Sequence, residues 1–108
     1  MSKLKILVVD DFPIFRVGLG ALLSKAADLE IIGEAENGQV AIEKARQLKP
    51  HLILMDLMMP VMNGTEAIRI IKKHQPEIKI IALTGENQLK QIQATLAAGA
   101  DGYVLKDD

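Results

Sequence analysis

Short apolar runs recur along the chain at regular distances, and most of them are apolar at every position rather than at alternate positions. Strands of a parallel sheet read in this way when helices cover both faces of the sheet. The pattern therefore predicts five buried strands, at Ile6–Val9, Ile31–Ile32, Leu52–Met55, Ile78–Leu83 and Tyr103–Leu105.

Between these runs lie four segments whose apolar residues recur at helical spacing. Their stripes are Ile14, Leu19, Leu22 and Leu23; Val40, Ala41, Ala45 and Leu48; Ala67, Ile68 and Ile71; and Leu89, Ile92 and Leu96. Pro50, Pro76 and Gly99 follow the second, third and fourth segments, where helix-ending residues are expected. The order β-α-β-α-β-α-β-α-β predicts a doubly wound α/β fold with a five-stranded parallel sheet and right-handed crossovers.

Composition narrows the class of protein. The chain has 108 residues, which suits one small domain, and its 49% hydrophobic content suits a packed core. A net charge of −1, with both signs interleaved, argues against direct nucleic-acid binding. The absence of cysteine excludes a disulfide framework, a thiolate metal site and a cysteine nucleophile. No apolar run is long enough for a signal peptide or a membrane span, so we expect a cytoplasmic protein without membrane contact.

Five polar residues follow the ends of predicted strands. They are Asp10 and Asp11 after the first strand, Asp56 after the third, Thr84 after the fourth and Lys106 after the fifth. The carboxyl ends of parallel strands share one edge, which is where such sheets carry their sites. A single Asp at a strand end is usually a turn or cap residue. Three acids in one crevice repel one another unless a cation or a shared proton relieves the repulsion.

Carboxylates without histidine or cysteine suit a hard cation such as Mg²⁺. A magnesium site beside a lysine and a hydroxyl indicates phosphoryl transfer, where positioning and neutralisation of charge do most of the work. An aspartate can itself be the nucleophile and become an aspartyl phosphate. Lys106 would place a positive charge on one phosphoryl oxygen and Thr84 a hydrogen bond on another.

These residues resemble those of the response regulator receiver family, whose fold has flavodoxin-like topology. The resemblance rests on Asp10-Asp11, Asp56-Leu-Met-Met-Pro60-Val-Met-Asn-Gly64, Thr84-Gly85 and Lys106, and it runs from about Lys3 to the last residue. It implies a two-component phosphorelay in which a sensor histidine kinase phosphorylates this chain. The chain would then promote only its own phosphorylation and dephosphorylation, and would not be an enzyme acting on other substrates.

The resemblance also implies a role for each site residue. Asp56 corresponds to the phosphoacceptor. Asp11, Asp56 and the backbone carbonyl of Met58 correspond to direct Mg²⁺ ligands, and Asp10 to a ligand acting through a water molecule. Thr84 and Lys106 correspond to the residues that contact the phosphoryl group, and Tyr103 to an aromatic switch residue that moves inward on activation. Pro60 and Gly64 are expected to shape the loop after Asp56.

Three segments are similar to the NarL/FixJ type of receiver: Asp11-Phe-Pro-Ile-Phe-Arg16, Gly33-Glu-Ala-Glu-Asn-Gly38 and Ala100-Asp-Gly-Tyr-Val-Leu-Lys-Asp107. Such receivers usually precede a helix-turn-helix domain that controls transcription, so an output partner outside this chain is expected. Family members have a fifth helix after the last strand. We therefore expect residues 1–108 to be a receiver domain truncated before that helix, with an uncovered apolar patch that favours self-association.

Three other interpretations compete with this one. A phosphatase of the haloacid dehalogenase class also forms an aspartyl phosphate, but it needs an acid two residues after the nucleophile, and this chain has Met58 there. A flavodoxin-like electron carrier needs a phosphate-binding loop after the first strand, where this chain has Asp10 and Asp11. A pseudo-receiver would use the fold only as an interaction module, against which the complete set of five site residues argues.

Overall fold

The computed structural model describes residues 3–59, 61–85 and 89–105. In these ranges five strands alternate with four helices, as the sequence pattern predicts. The elements are β1 Leu4–Val9, α1 Pro13–Leu23, β2 Leu29–Ala35, α2 Gly38–Leu48, β3 Leu52–Asp56, α3 Gly64–His74, β4 Lys79–Thr84, α4 Leu89–Ala98 and β5 Gly102–Leu105. The helices have ten or eleven residues, and in the described ranges none combines the length and apolarity needed to cross a bilayer.

All five strands are parallel, in the spatial order β2-β1-β3-β4-β5. The chain moves from β1 outward to β2, and then steps in the opposite direction through β3, β4 and β5. Because crossovers between parallel strands are right-handed, this reversal places α1 on one face and α2, α3 and α4 on the other. The predicted doubly wound fold is confirmed, and the reversal lies between β1 and β3.

The main hydrophobic core fills the face covered by α2 and α3. Leu7, Val9, Ile53, Met55 and Ile80 project from the central strands and are fully buried. They meet small and branched side chains of the two helices, namely Ala41, Ile42, Ala45, Ala67, Ile68 and Ile71. Burying an aliphatic side chain contributes roughly 1.5–3 kcal/mol, so this layer fixes the central strands whose ends carry the acidic residues.

The face of the sheet under α1 is covered less completely. No residue of α1 is fully buried, and the predicted stripe is partly wrong: Ile14 is 82% exposed and Leu22 is 64% exposed. The half-buried apolar side chains of this helix are instead Phe15, Leu19 and Leu23. These three are spaced by four residues and share one side of the helix. Leu22, near the end of the helix, is exposed although it follows Phe15 by seven residues.

Strand boundaries also differ from the prediction, as β2 and β4 illustrate. The second strand extends over Leu29–Ala35, because backbone pairing with β1 continues along polar positions that an apolar run does not mark. Ile78 is buried but precedes β4, and its N–H donates to the carbonyl of Gln75 in a turn. Helices α2 and α3 begin at asparagine caps, where Asn37 accepts from the N–H of Val40 and Asn63 from that of Glu66.

Candidate functional site

Three carboxylates meet at the carboxyl edge of the sheet. Asp10 directly follows β1, Asp11 comes next, and Asp56 is the last residue of β3. Because β1 and β3 are neighbours, oxygen atoms of all three side chains lie within 4.8 Å of one another. Asp10 is 0% exposed and Asp56 is 3% exposed, whereas Asp11 is exposed. Two acids of the cluster, Asp10 and Asp56, are therefore buried, and Asp11 is open to solvent.

Local hydrogen bonds fix the two buried acids. The N–H of Asp10 donates to the carbonyl of Ala35 at 3.0 Å, which ties the end of β1 to the end of β2. An Oδ1 atom of Asp10 accepts from the N–H of Phe12 at 2.7 Å, and Oδ1 of Asp56 accepts from the N–H of Met58 at 3.3 Å. Aspartates that bind the backbone two residues ahead shape turns in this way. Each carboxylate is thus oriented by the loop that follows it.

The loop after Asp56 returns closely to the strand it leaves. The N–H of Leu57 donates to the carbonyl of Leu83, and the N–H of Gly64 donates to the carbonyl of Leu57 at 3.0 Å. A Cβ atom on Gly64 would lie 2.2 Å from the carbonyl oxygen of Asp56. Only glycine fits there, so the expectation that Gly64 shapes this loop is confirmed, whereas Pro60 lies outside the described residues.

Thr84 ends β4 and is 1% exposed. Asp56 pairs with Leu83 across β3 and β4, so Thr84 lies one residue further on the neighbouring strand. Tyr103 pairs with Ala82 and is 44% exposed, which places it on β5, two positions short of the level of Thr84. Lys106 directly follows the end of β5 and lies outside the described residues. The structure therefore brings together four of the five predicted polar residues.

Arg16 is a component of the site that the sequence pattern did not single out. Its Nη1 donates to the backbone carbonyl of Asp10, and its Nε donates to Oε1 of Glu34 at 2.9 Å. The side chain of Arg16 is only 18% exposed. A signal was present in the sequence, because Arg16 is the single charged residue of α1. A lone charge on an apolar helix indicates a specific partner.

The donor set at this edge consists of oxygen atoms. Three carboxylates fit a hard divalent cation that prefers oxygen ligands, and a bound cation would relieve their mutual repulsion. The acidic pocket could therefore hold a metal ion.

Comparisons with known proteins agree with one another. The family described as "Response regulator receiver domain" matches residues 6–108. The response regulator protein VraR of Staphylococcus aureus is 47% identical over 103 residues, which cover 95% of this chain and 49% of VraR. The chain thus spans about half the length of the curated relatives it matches.

Two solved structures show how closely the backbone follows known folds. The signal receiver domain of the putative response regulator NarL from Mycobacterium tuberculosis superposes with a TM-score of 0.95 at 28% identity, covering 100% of this chain and 87% of that one. The isolated REC domain of RcsB from Salmonella enterica serovar Typhimurium, solved in the presence of phosphomimetic BeF3−, gives a TM-score of 0.90 at 30% identity, covering 99% and 80%.

Proposed function

Because this chain belongs to the response regulator receiver domain family of two-component systems, we propose that it accepts a phosphoryl group from a sensor histidine kinase on Asp56. The carboxylate cluster carries this proposal. Strand β3 lies between β1 and β4, so Asp56 has Asp10 and Asp11 on one side and Thr84 on the other. Of the three acids, Asp56 alone is flanked by both the acidic group and the hydroxyl.

The acidic cluster is also the place for the metal. In this proposal Asp11, Asp56 and the backbone carbonyl of Met58 hold Mg²⁺ directly, and Asp10 acts through a water molecule. The bound ion supplies positive charge that neutralises the transferring group. Oxygen-only donors within 4.8 Å of one another support a hard cation at this place.

The transfer itself needs few protein groups. An oxygen of the Asp56 carboxylate attacks the phosphorus atom, the new P–O bond forms, and the P–N bond to the kinase histidine breaks. The hydroxyl of Thr84 then donates to one phosphoryl oxygen, and the ammonium of Lys106 pairs with another. Tyr103 is the switch residue that moves inward in response, and its 44% exposure in this structure leaves room for that change.

The proposed role of this chain is signal transduction and not metabolism. The chain promotes its own phosphorylation and dephosphorylation and acts on no other substrate, and an output partner outside residues 1–108 reads the change. The 49% coverage of VraR supports a further region in the parent protein. The segments of NarL/FixJ type favour transcription as the output, in the cytoplasm, without direct nucleic-acid binding by this chain. The family match, with Met58 two residues after Asp56, disfavours the phosphatase alternative.

The proposal is tested with a small phosphodonor, such as acetyl phosphate, and intact-mass spectrometry. With Mg²⁺ the wild-type chain should gain one phosphoryl group, and chelating the metal should prevent this. Asp56→Asn should abolish the adduct, whereas Asp28→Asn in the exposed turn before β2 should not. Undiminished phosphorylation of Asp56→Asn would refute the acceptor assignment.

A further inference from the structure

Arg16 joins three parts of the molecule beside the acidic cluster. It belongs to α1, its Nη1 binds the carbonyl of Asp10 in the loop after β1, and its Nε binds the carboxylate of Glu34 in β2. The backbone carbonyl of Glu34 in turn accepts from Nζ of Lys44 in α2. The guanidinium is mostly buried between these partners.

This arrangement fixes Asp10 from its carbonyl side. The N–H of Asp10 is held by Ala35, and its carboxylate by the N–H of Phe12. Without Arg16 the peptide unit between Asp10 and Asp11 would lose the contact that sets its plane. The orientation of that peptide sets the direction of the Cα–Cβ bond of Asp11. It therefore sets the positions of the Asp10 and Asp11 carboxylates relative to that of Asp56.

We propose that Arg16 is a positioning residue for the metal site: its guanidinium fork bridges the carbonyl of Asp10 and the carboxylate of Glu34, and so holds Asp10 and Asp11 in the geometry that binds Mg²⁺. This inference rests on the proposed function. Arginine suits the task because its donors are fixed in one plane, whereas a lysine ammonium is a single point charge on a flexible stem.

The positive charge of Arg16, taken alone, would weaken Mg²⁺ binding rather than strengthen it. A guanidinium bound to the backbone carbonyl of Asp10 repels a cation held by the acidic cluster, so a purely electrostatic Arg16 would weaken Mg²⁺ binding in the wild-type chain. Glu34 reduces this repulsion, because its carboxylate lies 2.9 Å from Nε of Arg16. Positioning and charge therefore predict changes of opposite sign when the charge is removed.

The test measures Mg²⁺ affinity by isothermal titration calorimetry in Arg16→Lys and Arg16→Gln. Positioning predicts that both variants bind Mg²⁺ more weakly, by about three- to tenfold, somewhat less than the loss typical when the partner of a direct ligand is removed. A charge effect predicts tighter binding in Arg16→Gln and unchanged binding in Arg16→Lys. Either of those two results would overturn the inference.

Two substitutions of Glu34 separate positioning from charge. Glu34→Gln keeps an acceptor oxygen for Nε of Arg16 and should bind Mg²⁺ like the wild type, whereas Glu34→Ala should bind it more weakly. If charge were the cause, both variants would weaken binding equally, because both leave Arg16 uncompensated. Arg69→Gln is the matched control, since it breaks another Arg–Glu pair, formed with Glu66 on the surface of α3. Its Mg²⁺ affinity should equal that of the wild type.

A metal-free readout separates this inference from the proposed function. The amide proton of Phe12 reports its hydrogen bond to Asp10, and it should shift in NMR spectra of both Arg16 variants while remaining unchanged in Arg69→Gln. A wild-type chain that binds no Mg²⁺ would count against the proposed function, yet the Phe12 amide would still test the positioning. An unchanged Phe12 amide in folded Arg16→Lys would contradict the role assigned to Arg16.

Discussion

Two glycines in this chain occupy opposite kinds of surroundings. At Gly64 an added Cβ would lie 2.2 Å from the carbonyl oxygen of Asp56 and 2.8 Å from Cα of Leu57. Both contacts are with backbone, which cannot move without displacing the end of β3. At Gly18, in the middle of α1, nothing lies within 4 Å of an added Cβ.

Alanine should therefore have opposite effects at the two positions. Gly64→Ala should lower the free energy of unfolding by roughly 1–3 kcal/mol, the usual cost of overpacking, and should slow phosphorylation because Asp56 is displaced. Gly18→Ala should raise it by about 0.5–1 kcal/mol, because alanine is the better helix former. Urea denaturation measures both changes. Equal stability of Gly64→Ala and the wild type would show that the end of β3 has room to adjust.

The sequence predicted the acidic residues of the site but not the residue that positions them. Asp10, Asp11, Asp56 and Thr84 were predictable because parallel strands end at one edge, whatever the details of packing. The lone charge of Arg16 on α1 was a signal for some partner, but helical spacing does not reveal that the side chain reaches across to β2. The same uncertainty made Ile14 and Leu22 look like core residues, although both are exposed.

An ion pair connects α3 to the strands at the edge of the sheet opposite the acidic cluster. Nζ of Lys72 lies 2.9 Å from Oδ2 of Asp101 and also donates to the carbonyl of Ile78 at 2.7 Å. Oδ2 of Asp101 accepts from the N–H of Ile80 at 2.9 Å. Together these contacts hold the loop before β5 against the start of β4.

This arrangement predicts a pH dependence of stability. Burial by itself would raise the pKa of Asp101, but the hydrogen bond from Ile80 and the ammonium of Lys72 outweigh it and lower the pKa below its usual value. The native state therefore binds this proton less readily than the unfolded chain does. The resulting stabilisation is present above the unfolded pKa of about 3.9 and is lost as pH falls through the lower folded value.

Asp101→Asn should remove that part of the pH dependence. The variant should be less stable than the wild type at neutral pH, because asparagine cannot pair ionically with Lys72. Its free energy of unfolding should also fall less steeply than that of the wild type below about pH 4. Thermal denaturation between neutral and acidic pH measures the difference, and parallel curves for the two proteins would show that the Asp101 carboxylate contributes nothing.

The element order was predictable because buried parallel strands form short continuous apolar runs, whereas amphipathic helices repeat their apolar residues at three- and four-residue spacing. The boundaries of the strands were less predictable from the sequence. The ends of β2 at Leu29 and Ala35 depend on pairing with β1 and not on an apolar run. The cap at Asn63, by contrast, is a local signal, since asparagine binds the N–H of a residue three positions later.

The two faces of the sheet differ in how completely helices cover them. The α2–α3 side holds the fully buried cluster, whereas Ile14, Val17 and Leu22 of α1 and Val104 of β5 are each more than half exposed. Exposed apolar side chains that share one helix, as Ile14, Val17 and Leu22 do, offer an association surface. We therefore expect residues 1–108 to self-associate at high concentration.

Val17→Lys should weaken that association with little loss of stability, because Val17 is already 72% exposed. Sedimentation velocity over a range of concentrations compares it with the wild type. Gln47→Lys is the control, since it adds the same charge to an exposed position of α2. A wild-type chain that stays monomeric throughout, or a control that dissociates equally well, would contradict this use of the α1 surface.

We expect Asp56, and neither of the two acids beside it, to become phosphorylated. An acyl phosphate is reduced by borohydride to an alcohol, so the acceptor aspartate becomes homoserine and is located by tandem mass spectrometry of the digested chain. After treatment with phosphodonor and Mg²⁺, the reduced residue should be Asp56, and a metal-free sample should show none. Reduction at Asp10 or Asp11, with Asp56 unmodified, would contradict the assignment of Asp56 as the phosphoacceptor.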